Sequence, residues 1–387
     1  MTIIWMAVGL WGYSYLGYPM ILRWLAARRP EPAPPEPPDQ WPLISITIPA
    51  HNEARVIAAT LEAVLAVDYP ADRRQILVVS DASSDGTDEI VERFATRGVE
   101  LLRMPRRSGK TAAENSARGV LRGEIIVNTD ASVRIHPAAV KRLIAALGDP
   151  HVGVASSRDV SIARMDASAN PGEGAYVGYE MWVRGLETRV GGIVGASGSL
   201  YAIRASIHNY VLPEALSRDF AAALVARRAG YRAVSVPDAI CYVPRGVSPR
   251  QEYGRKVRTM TRGLGTLFYM KSLLNPFRHG LFAWMLASHK LSRWLLPWAT
   301  LGMVVALAIE SPHSLVARVL LGGALVVILA AFAGWHWPQG AKTPRLVAMP
   351  AFAAGGVAAG IHAWIRLFTG KAAPTWEPTR RAQVTVR

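Results

Sequence analysis

Charged side chains follow four of the apolar runs in the first half of the chain. Glu53, Asp81 and Asp130 each come shortly after such a run, and Lys110 follows another. Carboxylates suit ribose hydroxyls, base N–H groups and hard divalent cations, whereas a lysine suits phosphates. Together the four side chains predict a site for a nucleoside diphosphate, held through its sugar, its base and a metal ion.

The run before Asp130 indicates where such a site would lie. Ile125, Ile126 and Val127 are consecutive, which is typical of a strand buried on both faces. In a parallel α/β sheet, ligands bind beyond the carboxyl ends of the strands. Asp130 is therefore expected to face a ligand or metal. Alternatively it merely caps the helix that Pro137 begins, and the residue alone does not decide between the two.

Strand and helix patterns alternate at short intervals over the same part of the chain. Strands are predicted over 43–48, 75–80, 99–102 and 125–127, with helices over 54–67, from 87, over 110–121 and from 137. This alternation is typical of a parallel sheet with crossover helices. Further on, the pattern weakens but predicts strands over 199–204 and 233–236 and helices over 181–190, 219–229 and 249–267.

Long uncharged runs indicate a second, membrane-spanning region. Hydrophobic residues make up 51% of the 387 residues and charged residues only 19%, a balance shifted toward membrane proteins. The uncharged, largely apolar runs are Met1–Leu22, Trp294–Ile309, Val319–Ala341 and Leu346–Ile365. Most of them approach the ~20 residues that a spanning helix needs.

The first run is predicted to be a retained anchor. A cleavable signal peptide is the alternative, but no small-residue cleavage site precedes the basic cluster from Arg23 to Arg29. That cluster places the following domain in the cytoplasm by the positive-inside rule. Three later spans would then put the C-terminus outside, whereas Arg366 and Lys371 favour the cytoplasm, so one segment lies in the interface or the rule fails.

The net charge of +16 requires an acidic partner. The basic residues form no single stripe and no groove-reading motif is present, so nucleic acid is not predicted as a partner. Anionic membrane lipids and a phosphate-bearing substrate account for the charge better. The single cysteine, Cys241, excludes an intramolecular disulfide and agrees with a reducing compartment.

Several motifs, in order, resemble those of the family 2 glycosyltransferases of the GT-A fold, especially hyaluronan, chitin and cellulose synthases. ITIPAHNEARVI resembles the first nucleotide loop, with Pro49, Asn52 and Glu53 in the matching places. VVSDASSDGTDEI resembles the second, which puts Asp81 on the uracil or ribose. RSGKTAAENSARG resembles the basic segment in which Lys110 approaches the nucleotide. The similarity covers roughly Ile44 to Gly263.

The metal and acceptor motifs continue this resemblance with departures. NTDAS matches the D-x-D metal motif at Asp130, but Ser132 replaces the second aspartate, which weakens the expected binding of a divalent cation. GASGSLYAIR resembles the acceptor segment of polysaccharide synthases and contributes the candidate acceptor residues Gly195, Ala196, Ser197 and Gly198.

The motifs for the base and the leaving group depart further. LSRDFAAAL resembles the segment that holds the catalytic base, which falls on Asp219, although Arg218 stands where an acidic neighbour is usual. RKVRTMTRG resembles Q-x-x-R-W: Arg258 matches, whereas Arg255 replaces the glutamine and Thr259 the tryptophan.

The resemblance implies an inverting transfer from a UDP-sugar. Asp219 would be the base, and Mg²⁺ or Mn²⁺ on Asp130 and Ser132, with Lys110, Arg255 and Arg258, would stabilise the leaving diphosphate. The expected acceptor is a growing polysaccharide, and the alternative is a single-sugar addition to a membrane lipid. A third hypothesis, a non-catalytic nucleotide sensor, would require donor-site carboxylates to be missing, and they are present.

Other interpretations of these residues remain open from sequence alone. Asp219 also suits a helix start as a simple cap, and Arg255 and Arg258 also suit a solvated or lipid-facing helix surface. A Walker A loop is excluded because Met104 stands where its first glycine is needed, and a nucleophile elbow because Ser199 replaces a glycine. No zinc-binding spacing occurs.

The predicted organisation combines a cytoplasmic α/β domain, with a mostly parallel GT-A sheet, and an α-helical transmembrane region in the inner membrane. Its segments are an anchor over 1–29, a Pro-rich linker over 30–42, the catalytic domain over 43–270, interfacial helices over 271–290, a bundle of three spans over 291–369 and a tail over 370–387.

Overall fold

A computed structural model describes residues 1–31, 33–162, 171–244, 249–338 and 343–371. Nearly all of the predicted C-terminal tail lies outside the described residues.

Eight strands form one sheet in the described part of the chain. They are β1 Ile44–Ala50, β2 Arg74–Ser80, β3 Val99–Arg103, β4 Ile125–Thr129, β5 Arg134–Ile135, β6 Val152–Ile162, β7 Leu200–Arg204 and β8 Arg232–Pro244. Their order across the sheet is β3-β2-β1-β4-β7-β6-β8-β5. β1 pairs in parallel with β2 and β4, and β2 with β3, which confirms the predicted α/β class. β7 runs antiparallel to both β4 and β6.

The helices fall into those that cover the sheet and those that follow it. They are α1 Thr2–Gly12, α2 Tyr18–Ala27, α3 Ile57–Leu65, α4 Thr87–Glu92, α5 Lys110–Ala117, α6 Ala139–Ala146, α7 Pro171–Val190, α8 Ala205–His208, α9 Arg218–Arg228, α10 Pro249–Tyr269, α11 Pro276–His279, α12 Leu281–Leu286, α13 Ser292–Glu310, α14 Leu315–Trp335 and α15 Arg345–Phe368. Two five-residue π turns, Tyr13–Gly17 and Ala287–Leu291, join α1 to α2 and α12 to α13.

The sheet is buried on both faces, which explains its continuous apolar runs. On one face Ile46 of β1 and Val127 of β4 share a core with Leu61 of α3 and Leu143 of α6. Ile126, the neighbour of Val127, belongs to the core of the other face.

This second core extends beyond the sheet into the helices that lead to the apolar region. Tyr18 and Leu22 of α2 belong to it, together with Met285 and Leu286 of α12. All four side chains are fully buried. The sheet and the base of the apolar helices are therefore held by one hydrophobic core rather than by a linker.

Three helices in the described residues are long and apolar enough to cross a membrane: Leu281–Glu310, Leu315–Trp335 and Arg345–Phe368. The first of these helices continues without a break through residue 290, where the sequence predicted the boundary between the interfacial helices and the spans. Phe282, Met285 and Leu286 explain the difference, because they turn the apolar face of this segment into the protein core. The π turn then continues the helix into α13.

The predicted N-terminal anchor is not among those three helices, but it packs along the first of them. Ile4 lies in a cluster with Ala306 and Leu307 of α13. The Trp11 indole Nε1 donates to the Thr300 hydroxyl at 3.0 Å. The helix over 2–27 thus accompanies α13 along most of its length.

The last apolar helix, α15, packs along the amphipathic helix α10. Leu264 of α10 shares a cluster with Ala363 and Trp364, and the rings of Phe268 and Trp364 meet edge to face at 5.8 Å. Other residues of the same two helices, among them Met260 and Gly356, line the site described next.

Candidate active site

Lys110 and Asp130 meet at the carboxyl end of β4. Gly109, whose φ of +96° favours glycine, turns the chain into α5, and Lys110 begins that helix. The Lys110 ammonium lies 2.5 Å from Asp130 Oδ1 and donates to the Gly198 carbonyl at 3.2 Å. A basic segment, the end of a strand and the acceptor-like loop therefore converge on one ammonium group.

The electrostatics of this centre keep Lys110 charged. Burial alone would lower the pKa of Lys110, but Asp130, Glu114 and Asp219 outweigh it and raise the pKa above its usual value. Burial raises the pKa of the Glu114 carboxyl. A permanent positive charge therefore faces the space beside Asp130, which is the charge that a diphosphate requires.

Asp219 begins α9 with one carboxylate oxygen occupied. Its Oδ1 accepts from the Phe220 backbone N–H at 2.8 Å and from the Ser217 hydroxyl. Its Oδ2 makes no hydrogen bond to any residue in the described ranges, and it faces Gly198 so closely that a Cβ there would collide with it. The N-cap of α9 is Ser217 rather than Asp219, but Asp219 binds a backbone N–H in the first turn and still presents a free oxygen.

Arg218, the unusual neighbour of Asp219, points its charge at α5. Its guanidinium lies 3.7 Å from the Glu114 carboxylate and donates to Asn115 Oδ1 at 2.7 Å. Arg218 therefore ties α9 to α5 through this buried pair.

A cavity of about 740 Å³ connects these groups. The predicted site residues in its wall are Lys110, Asp130, Gly195, Ala196, Ser197, Gly198, Asp219, Arg255 and Arg258. Asp130 and Asp219, which the sequence placed in separate motifs, face the same space. The chemistry that this arrangement permits is proton removal at one carboxylate and charge stabilisation at the other.

The basic face of α10 closes one side of the cavity. Arg255, Arg258 and Arg262 all line it, as their spacing of three and four residues predicts for one helix face. Arg255 forms a two-pronged ion pair with Glu252 at 2.7 and 2.8 Å. Arg262, which the motif analysis did not select, donates to the Thr111 hydroxyl at 2.7 Å and so joins α10 to α5.

The remaining predicted residues, Pro49, Asn52, Glu53, Asp81 and Ser132, are not part of the cavity wall. Asp81 is buried, and its two oxygens accept the backbone N–H groups of Ser108 and Gly109, each at 2.7 Å. Asp81 therefore shapes the loop that delivers Lys110. Its contact with a uracil or ribose stays a prediction.

Asn52 and Glu53 join the first nucleotide-like loop to the second. Asn52 adopts a φ of +53°, and its Oδ1 accepts from the Ser84 N–H at 2.9 Å. The Glu53 N–H donates to the Thr87 hydroxyl at 2.9 Å. The two loops thus form one edge of the sheet, next to the Lys110 loop that Asp81 holds.

Asp159 and six basic residues line the cavity without having been predicted as site residues: Arg184, Arg218, Lys256, Arg262, Lys290 and Arg293. Asp159 Oδ2 accepts from the hydroxyls of Ser197 and Ser199 at 2.6 and 3.1 Å, so it holds the acceptor-like loop. An isolated Asp159 in a polar stretch gives no sequence signal. The basic residues come from helices far apart in the chain, and only the fold brings them together.

A GT-A fold implies a divalent cation, and the residues present fit one that is held largely by its substrate. Mg²⁺ is usually bound through one or two carboxylates together with substrate phosphates. Asp130 offers such a carboxylate, partly exposed beside Lys110. Among the residues that the structure describes, no three His, Cys, Asp or Glu side chains form a closed metal cage. Metal binding by Asp130, with Ser132 as the second ligand, therefore stays a prediction.

Sequence comparison finds a family model that matches the first part of the chain. Residues 45–185 match the family model described as glycosyl transferase family 2. A probable glycosyltransferase, YdaM, of Bacillus subtilis is 38% identical over 111 residues, covering 27% of this chain and 26% of that protein. A beta-monoglucosyldiacylglycerol synthase of Trichormus variabilis is 26% identical over 168 residues, covering 42% and 36%. The chain thus spans about a quarter to about a third of these relatives' lengths.

Structural comparison extends the similarity over nearly the whole chain. The mannosyltransferase PcManGT from Pyrobaculum calidifontis, in complex with GDP-Man and Mn²⁺, superposes with a TM-score of 0.71 and 25% sequence identity. The similarity covers 95% of this chain and 99% of that one. The fold is therefore of the GT-A type, followed by apolar helices, as the sequence predicted.

Proposed function

We propose, from the premise that residues 45–185 form a glycosyl transferase family 2 domain, that this protein transfers a sugar from a nucleoside diphosphate sugar to an acceptor at the membrane. One observation carries the proposal: Lys110, Asp130 and Asp219 face a single cavity that also reaches the apolar helices. The proposed location of the protein is the cell membrane, with the sheet domain on the cytoplasmic side.

Asp219 is the proposed base of an inverting transfer. Its free Oδ2 accepts the proton of an acceptor hydroxyl as that oxygen bonds to the anomeric carbon. The bond from that carbon to the diphosphate breaks in the same step, and the electron pair leaves with the nucleotide. A base must lie within about 2.6–3.2 Å of the hydroxyl in the reacting complex.

The second requirement of the reaction is to stabilise the negative charge on the leaving diphosphate. Lys110 and the arginines of α10 direct positive charge at the space where it would lie, and preorganised charge of this kind is among the largest contributions to catalysis. A divalent cation on Asp130 would neutralise part of the diphosphate charge when bound. Arg262 holds α10 against α5, so Lys110 and the arginines keep a fixed separation.

The proposed acceptor is a membrane lipid. The cavity wall includes Leu296 and Pro297 of the first span, and Ala353, Gly356 and Val357 of α15. A polar, carboxylate-bearing end and an apolar end in one cavity suit a molecule with a sugar-accepting headgroup and a hydrocarbon tail. Polysaccharide extension is the second candidate, because the loop from Gly195 to Gly198 resembles the acceptor segment of polysaccharide synthases and lines the same cavity.

The donor is proposed to be a UDP-sugar, from the motifs that the chain shares with UDP-sugar-dependent synthases. A structurally similar mannosyltransferase is in complex with GDP-Man, so the decisive assay compares both nucleotides. Purified protein is incubated with radiolabelled UDP-glucose, UDP-N-acetylglucosamine or GDP-mannose, Mn²⁺ and vesicles of total membrane lipid. A single labelled sugar in the lipid extract supports lipid transfer, whereas label in long water-soluble chains supports polymer extension.

Asp219→Asn tests the mechanism within the same assay. We expect transfer to fall by roughly 10²–10⁴-fold, because general base catalysis contributes about that much, while the nucleotide affinity stays unchanged. Asp68→Asn, at a surface ion pair with Lys141, is the matched control and should transfer normally. Wild-type turnover in Asp219→Asn would remove the base assignment, and no label transfer from any donor would contradict the proposed function itself.

A further inference from the structure

A second cluster of charges lies at the opposite end of the acceptor-like loop from Asp219. Lys290, on the π turn of the first span, and Arg184, on α7, both line the cavity. Lys290 Cε would lie 3.6 Å from a Cβ at Gly195, whereas Asp219 faces Gly198. The Phe220 ring lies beside Gly195, with its centre 5.7 Å from the Lys290 ammonium.

Neither cation forms an ion pair within the described ranges. Lys290 is partly exposed, and its ammonium has a ring contact with Phe220 but no hydrogen bond there. Arg184, which is 9% exposed, has a single long contact, 3.4 Å, to the Ser156 hydroxyl. Because a largely enclosed charge without a counter-ion is costly, two such cations in the wall of one cavity favour an anion between them.

The carboxylates nearby are already engaged with other groups. Glu187 Oε1 accepts from the Tyr18 hydroxyl and contacts His289 Nδ1, both at 2.6 Å. Glu180 pairs with Arg293 and with His289 Nε2. Burial alone would raise the pKa of each of these carboxyls, yet His289 and its neighbours hold both below their usual range. Both carboxylates are thus charged, and neither forms an ion pair with Lys290 or Arg184 among the described residues, which leaves room for a ligand at these two cations.

The surroundings indicate where that ligand comes from. Trp11 and Tyr15 of the N-terminal helix border the cavity on this side, with Leu296 of the first span. Amphipathic aromatic side chains of this kind are enriched at the level of lipid headgroups. An anion held here would therefore sit at the membrane end of the site, apart from the diphosphate position at Lys110.

We propose that Lys290 and Arg184 bind the phosphodiester of the acceptor lipid, so that the acceptor is an anionic phospholipid whose headgroup also carries a hydroxyl. The inference rests on the proposed function and specifies its acceptor. The phosphodiester lies at the Gly195 end of the loop and the headgroup hydroxyl at Asp219 Oδ2. A polyol phospholipid such as phosphatidylglycerol has both groups within one headgroup, whereas phosphatidylcholine has no hydroxyl and no net charge.

Binding calorimetry on the purified full chain in detergent tests this without requiring the donor sugar to be known. Short-chain phosphatidylglycerol and phosphatidylcholine of equal chain length are titrated into the wild type. We expect phosphatidylglycerol to bind at least tenfold more tightly. Lys290→Met and Arg184→Met should each abolish that preference, and Lys290→Arg should retain most of it. Equal binding of the two lipids, or an unchanged preference in both methionine variants, would overturn the proposal.

Two matched controls and two competitors sharpen the result. Lys141→Met, at a surface pair with Asp68, and Arg189→Met, on the same helix as Arg184 but bonded to the Ala26 carbonyl, should bind like the wild type. Inorganic phosphate that displaces the lipid at equal concentration would identify a free phosphate site, and UDP that displaces it would assign the cations to the donor. Either outcome contradicts a lipid headgroup site.

Failure of this inference is distinguishable from failure of the proposed function. UDP and GDP titrations on the same samples report donor binding, and normal values in Lys290→Met also show that the variant is folded. Donor binding without lipid selectivity removes only the acceptor assignment. Absence of any nucleotide binding removes the transferase proposal, whichever lipid binds.

Discussion

At the scale of single residues, the site depends on which oxygens of each carboxylate accept hydrogen bonds from the protein and which stay free. Asp81 uses both to hold the Lys110 loop, Asp130 gives one to Lys110, and Asp219 gives one to its own helix. The sequence identified all three as acidic groups at loop ends. It does not encode how many oxygens stay free, because that depends on backbone N–H groups distant in the chain.

Gly198 tests whether the free oxygen of Asp219 matters. In Gly198→Ala the new methyl group collides with Oδ2, and the carboxylate must rotate away from the acceptor. We expect turnover to fall by up to about 10²-fold, since misplacing a reacting group by about 1 Å has that effect, with unchanged nucleotide affinity. Steady-state kinetics of Gly178→Ala, at a position with open space around it, provides the control. Wild-type turnover in Gly198→Ala would show that Oδ2 is not the reacting atom.

His208 provides a pH-dependent prediction of stability. It is buried beneath α9 and neither ring nitrogen has a hydrogen-bond partner among the described residues. Burial, with Arg218 and Arg118, lowers the pKa of His208 well below its usual value. Near pH 6.5 and below, His208 therefore takes up a proton in the unfolded chain but stays neutral in the folded protein. Its contribution to the free energy of unfolding is present above pH 6.5 and is lost below it.

His208→Phe removes that contribution. Between pH 7.5 and 5.5 the wild type should lose about 1.4 kcal/mol more unfolding free energy than the variant, which is the value of one proton over one pH unit. Denaturant unfolding in detergent at both pH values measures the difference. Parallel pH profiles for the two proteins would show that His208 is protonated in the fold or remains unprotonated on unfolding.

At the scale of secondary structure, the parallel half of the sheet was predictable and the mixed half was not. Strands β1, β2 and β4 are buried almost throughout, so their apolar residues predicted them within about two residues of their observed bounds. The edge strand β3 is only partly buried but was predicted equally closely. β6 was missed because Ser156, Ser157, Arg158 and Asp159 interrupt its apolar residues. Ser156 and Asp159 bind the acceptor-like loop and α7. Because these contacts require polar side chains, the strand lacks the apolar pattern by which strands are predicted.

Close helix packing gives the prediction at this scale. A Cβ at Gly360 of α15 would collide with the ring of Pro297 in α13. Overpacking of this kind costs about 1–3 kcal/mol, more than the 0.5–1 kcal/mol that replacing a helical glycine gains. Gly360→Ala should therefore lower the thermal midpoint in detergent. Gly323→Ala, where nothing lies within 4 Å, should leave it unchanged or raise it. Equal midpoints in the two variants would contradict this packing.

At the scale of the whole molecule, the site is shared between the sheet domain and the apolar helices. The sequence predicted both parts correctly but treated them as separate segments with a boundary at residue 290. The structure places Lys290 and Trp294 beside Gly195 and Phe220. No local pattern predicts such contacts, since they join residues about seventy or more positions apart.

Gly356 tests the continuity of the cavity across these two parts. It lies on α15 in the cavity wall, with no atom within 4 Å of a Cβ position there. Gly356→Phe should fill the apolar end and reduce transfer to lipid at least tenfold, while UDP or GDP affinity is retained. Scintillation counting of extracted lipid, beside calorimetry with the nucleotide, measures both. Undiminished lipid labelling would mean that the acceptor enters by another route.

The core that joins the sheet to the base of the apolar helices has a consequence for selectivity. Because Met285 and Leu286 are fully buried in the core that they share with the strands, the proposed base Asp219 is held at a fixed height relative to the apolar helices. We therefore expect the protein to select acceptors by distance: a hydroxyl that projects too little or too far from the bilayer would not reach Asp219, whatever its chemistry.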